Sequence, residues 1–167
     1  MSQDKVLDII KGAILLEKRG KSFYESVAKH SESEAVKEIF TMMANEESLH
    51  IEILEKQYES YKNKGSMQSM NLGEEPETIS INVLSKKIQQ EISAAGYEAA
   101  AIAAAISMED KAVIYYAERA DSAEDPMEKK MYHWLSNWEK SHLQYLSNID
   151  KELRESVWYD NKFWPLA

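Results

Sequence analysis

The chain has 167 residues, 44% of them apolar and 29% charged, a formal net charge of −9 and no cysteine. That is the size of one domain with a real hydrophobic core, and its acidity disfavours nucleic acid and anionic membranes as partners. The missing thiols exclude disulfides, iron–sulfur clusters, thiolate zinc sites and cysteine nucleophiles, so any metal must be held by Asp, Glu or His.

Three Pro and five Gly against 22 Glu, with abundant Ala, Leu, Met and Lys, favour helix almost everywhere. The opening stretch MSQDKVLDIIKGAILLEK breaks its apolar residues with acids and lysines and does not read as a signal peptide. The Ala-rich stretch 94–108 is short and carries Glu98, which argues against a membrane span. A cytoplasmic protein is expected.

In chain order, Val6, Ile9, Ile10, Ala13, Ile14, Phe23 and Val27 recur at helical spacing and predict a first helix over about 3–29. Ser31-Glu32-Ser33-Glu34 offers a capping box for a second helix, marked by Val36, Ile39, Phe40, Met43, Leu54 and Tyr58 and ending near Gly65. Residues 65–80 hold turn-formers without an apolar period and read as a long crossover, followed by a short helix at about 81–92. A third long helix is predicted over about 95–121, and Asp125-Pro126 supplies the cap and first-turn proline of a fourth, to about 154. The expected architecture is all-α: two helical hairpins joined by one long crossover, with residues 1–155 forming the bundle. The aromatic tail, 156–167, is expected to pack on the bundle or on a neighbouring subunit.

The hairpins repeat one another. Glu17 matches Glu109, Tyr24 matches Tyr116, Ala28 matches Ala120, Asn45 matches Asn137, Glu47 matches Glu139, His50 matches His142 and Leu54 matches Leu146, every pair 92 residues apart. A tandem duplication with pseudo-two-fold symmetry would bring such pairs to a common axis. The midpoint of Glu17 and Glu47 is residue 32 and that of Glu109 and Glu139 is residue 124, both in predicted turns. Antiparallel packing then places all four carboxylates at one level, ~20 Å from the turns.

Each Glu-x-x-His pair, Glu47 with His50 and Glu139 with His142, presents a carboxylate and an imidazole on one helix face. Glu17 shares its stripe with Ile10, Ala13, Ile14 and Tyr24, and Glu109 follows Ile102, Ala105 and Ile106, so both point inward. Four buried carboxylates repel and lose hydration, at several kcal/mol per ion, unless cations compensate them. Two divalent ions would balance the charge and accept both ligand types, which predicts a dinuclear centre.

One Glu-x-x-His among four His is unremarkable in a chain with 22 Glu, and a duplicated bundle with solvated Glu-x-x-His faces is the plain alternative. It leaves the apolar stripe around Glu17 without a reason. Tyr24 and Tyr116, two turns beyond their Glu, fit either core packing or a hydrogen bond to a ligand. His30 and His133 are expected at the surface, and the run AAAIAAAI at 99–106 reads as close helix packing or a subunit interface.

With Glu17, Glu47-Ser48-Leu49-His50, Glu109, Glu139-Lys140-Ser141-His142, Tyr24 and Tyr116 assembled, the chain resembles the ferritin-like di-iron carboxylate superfamily, and within it the rubrerythrin-like proteins. The resemblance covers all but the tail. It implies a ferritin-like four-helix bundle holding two iron ions: Glu17 and His50 as terminal ligands of one, Glu109 and His142 of the other, Glu47 and Glu139 bridging, with these four Glu as the catalytic carboxylates. It also implies oxidation of a reduced di-iron centre by hydrogen peroxide or dioxygen. Rubrerythrins proper carry a further Glu where this chain has Ala112, and a rubredoxin domain with four cysteines that is absent here. A separate electron-donor protein is therefore implied. Bacterioferritin places a haem-binding Met where this chain has Ser48, so no haem is expected. The oxidative-defence reading stands beside two others, an iron-storing ferritin-type shell and a manganese protein with catalase-like chemistry. A homo-oligomer is expected, a dimer first.

Overall fold

The structure, a computed structural model, describes the backbone of residues 3–70, 72 and 79–159 and the side chains of 3–70, 72 and 84–158. Five helices and no strand occur among them: α1 Gln3–His30, α2 Glu34–Lys64, α3 Ile79–Glu91, α4 Tyr97–Ser122 and α5 Pro126–Tyr159. The four long helices match the expected hairpins, α1 packing on α2 and α4 on α5, with the short α3 of the crossover resting on α2 and α5. The last helix runs on to Tyr159, past the expected end near 154, with Leu153 buried on its inner face. The remainder of the aromatic tail, from 160, lies outside the described residues.

Local chemistry accounts for the helix ends. Asp125 Oδ1 accepts from the backbone N–H of Met127 at 2.7 Å and of Glu128 at 3.4 Å, and Pro126 takes the first-turn place where no N–H is needed. Gly65 ends α2 at φ 70°, a left-handed conformation that a side chain would strain.

The α1–α2 turn departs from the expected capping box. Ser33 is the N-cap, its Oγ accepting from the Val36 N–H at 3.1 Å, and the reciprocal carboxylate comes from another element: Glu91, ending α3, accepts from Ser33 Oγ at 2.6 Å and from the Ala35 N–H at 3.2 Å. Glu98, in the first turn of α4, accepts from Ser31 Oγ and the Glu32 N–H, both at 3.1 Å. A turn that could have closed on itself is clasped by the crossover instead.

The apolar interior falls into two clusters. One joins Tyr24, Val27, Ile39, Phe40, Ile88, Ile102 and Ile149; the other joins Val6, Ile10, Leu54, Tyr116, Met131 and Leu135. Between them lies a polar layer that includes Glu17, Glu47, His50, Glu109, Glu139 and His142, all buried. No described helix is long and apolar enough to cross a membrane.

Replacing Ser33 with Ala removes both the N-cap acceptor and the donor to Glu91. Urea unfolding of Ser33→Ala is expected to show a loss of about 1 kcal/mol without a change in the slope of the transition.

Candidate metal centre

Each long helix contributes to the polar layer: Glu17 from α1, Glu47 and His50 from α2, Glu109 from α4, Glu139 and His142 from α5. All six are at most 3% exposed. The helical period turns them inward because each lies on the stripe that carries the core residues one turn away. Asn45 and Asn137, which the repeat also pairs, are exposed, as are His30 and His133.

The side chains gather into two groups, each with ligand atoms within 4.8 Å of one another: Glu17, Glu47, His50 and Glu139; and Glu47, Glu109, Glu139 and His142. Glu47 and Glu139 belong to both. His50 turns Nδ1 into the layer, 3.1 Å from Glu17 Oε2, 3.0 Å from Glu139 Oε1 and 3.4 Å from Glu47 Oε2. His142 does the same, with Nδ1 3.3 Å from Glu109 Oε1 and from Glu139 Oε2. The two imidazoles face each other at 6.4 Å with a 27° interplanar angle.

The tyrosines close the arrangement crosswise. Tyr24 Oη donates to Glu109 Oε1 and Tyr116 Oη donates to Glu17 Oε1, so each hairpin's tyrosine holds the other hairpin's carboxylate. Burial, followed by the charge of the facing carboxylate, pushes both phenols well above their usual range and keeps them donors.

The electrostatics are those of carboxylates and imidazoles crowded together in a buried layer. Burial and then the charge of Glu139 push Glu47 well above the ordinary carboxyl value, and the same two causes raise Glu109 to about 7. Burial alone would raise Glu139, but His50 and His142 outweigh it and hold it well below its usual range. Burial opposes the charged form of both histidines, yet the facing carboxylates, Glu139 for His50 and Glu109 for His142, raise both well above normal. Glu47 Oε2, both Glu139 oxygens and His142 Nδ1 are buried with no hydrogen-bond partner. Unpartnered buried acceptors at this density fit cations. Oxygen and imidazole donors with no sulfur suit iron or manganese.

A cavity of about 20 Å³ reaches the layer between α1 and α4, room for about one water-sized molecule. Pairs of the 92-residue repeat line it: Leu16 with Met108, Glu17 with Glu109, Gly20 with Ala112, and Glu47 with Glu139. A Cβ at Gly20 would stand 3.6 Å from the Glu47 carboxyl carbon, so this small pair leaves the carboxylates uncovered. Sequence reasoning noted Ala112 only as a departure from a family pattern and did not single out Gly20.

The upward shifts at His50, His142, Glu47 and Glu109 favour the protonated forms, so cations must compete with protons for these side chains. Titration calorimetry in buffers of different ionisation enthalpy is expected to show net proton release when the chain is loaded with divalent ions at pH 7. Because those protons compete with the metal, affinity should fall as the pH drops below 7 and rise above it.

The family model for rubrerythrin matches residues 8–149, the full span from α1 through most of α5, all six clustered residues included. No curated protein and no solved structure matches the chain significantly. A helical bundle of the expected topology, a buried carboxylate and histidine cluster compatible with a di-iron site, and a match over most of the sequence agree: the chain belongs to the rubrerythrin family.

Proposed function

We propose that this chain is a non-haem di-iron oxidoreductase that reduces hydrogen peroxide or dioxygen and is recharged by a separate electron-donor protein. In this reading Glu17 and His50 end one metal position, Glu109 and His142 end the other, and Glu47 and Glu139 bridge. The observation that carries it is the membership of Glu47 and Glu139 in both ligand groups, the pattern required when two cations share carboxylates. Two iron ions would supply one electron each, the two electrons that, with two protons, take hydrogen peroxide to two waters or dioxygen to hydrogen peroxide.

The chain's own residues do the rest. Tyr24 and Tyr116 hold the Glu109 and Glu17 carboxylates by hydrogen bonds and so direct the free oxygens into the layer. The small cavity at Gly20 and Ala112 suits a small oxidant better than a bulky organic substrate. Leu16 and Met108, both half-buried, add apolar walls to the same cavity.

Stopped-flow mixing of the anaerobic diferrous protein with hydrogen peroxide should give fast oxidation at two irons per chain; absence of that phase counts against the proposal. Glu139→Ala is expected to remove a shared ligand and abolish retention of both ions, whereas His30→Ala, altered at an exposed position, should keep full metal content by elemental analysis. Ala112→Leu should keep its metal but fill the cavity and slow peroxide oxidation by about tenfold or more, a barrier increase of about 1.4 kcal/mol.

A further inference from the structure

The 92-residue repeat that governs the six clustered residues fails behind the two imidazoles. Position 46 is Glu and its counterpart, 138, is Trp; position 42 is Met and its counterpart, 134, is also Trp. His142 Nε2 therefore meets a carboxylate, donating to Glu46 Oε2 at 2.5 Å. His50 Nε2 meets no hydrogen-bond acceptor. Its ring is instead boxed edge-on by Trp134 at 5.4 Å and Trp138 at 5.5 Å.

A carboxylate that accepts from the outer N–H of a ligating imidazole fixes the tautomer and ring orientation and makes the inner nitrogen a stronger donor. An indole offers only a weak π-face interaction and adds no charge. Glu46 also brings a further negative charge to the His142 side, from a side chain only 16% exposed and hence weakly screened. We infer that Glu46 is a positioning residue for His142 and makes the metal position at Glu109 and His142 the tighter of two unequal positions. This rests on the dinuclear reading above. The division of labour is a tightly held ion beside Glu46 and a more exchangeable one beside the tryptophans.

Anaerobic titration of the metal-free chain with cobalt(II), followed by its d–d absorption and by calorimetry, tests this without turnover. The wild type should take up two ions in two steps differing by about tenfold or more in Kd. His50→Ala should keep the tighter step. Glu46→Leu should weaken that step by about 10- to 100-fold, merging it with the other, and alter the cobalt spectrum of the first equivalent. Glu46→Gln, whose carbonyl oxygen still accepts from Nε2–H, should recover part of the loss, which a merely structural defect would not allow. Two equal steps in the wild type, or an unchanged tighter step in Glu46→Leu, would overturn the inference while leaving a dinuclear centre in place. Failure of the wild type to bind cobalt at all would overturn both.

Discussion

Four carboxylates share one buried level of this bundle, and nearly every other feature answers to the repulsion among them. Without compensation they could not all remain ionised there, and the same repulsion and burial shift Glu47 and Glu109 toward their neutral forms and the facing histidines toward their charged forms. Cations would replace protons there one charge at a time, so folding, protonation and metal uptake form one linked equilibrium. The tyrosines belong to the same solution, since they bring neutral donors to Glu17 and Glu109 without adding charge.

The duplication explains how so small a chain assembles such a site. One hairpin supplies two Glu, one His and one Tyr, and the second supplies them again around the pseudo-axis. The crosswise tyrosine bonds make each half incomplete without the other, which ties correct docking of the hairpins to completion of the cluster. Strict symmetry ends one layer out, where Glu46 stands against Trp138 and two chemically equal positions become different.

The helices and the six clustered residues were legible in the sequence because both depend on short-range periodicity and on one constant offset. Apolar spacing marks Val6 to Val27 and Val36 to Tyr58 as helical, and the offset of 92 pairs Glu17 with Glu109 and Glu47 with Glu139. What was not legible lies between elements distant in sequence and outside the repeat. Glu46 and His142 are 96 residues apart, and Glu46 reads as one more acid beside Glu47. The capping of Ser33 by Glu91 depends on where the crossover helix returns, which no local pattern records. Gly20 looked like an ordinary helical glycine, because an empty space leaves no residue signal.

The two apolar clusters that flank the polar layer share no continuous hydrophobic spine. Each end of the bundle is held by its own apolar packing, while the waist between them is built from buried carboxylates and imidazoles. Every long helix passes through both clusters, so the carboxylates sit midway along four continuous rods that are anchored on either side.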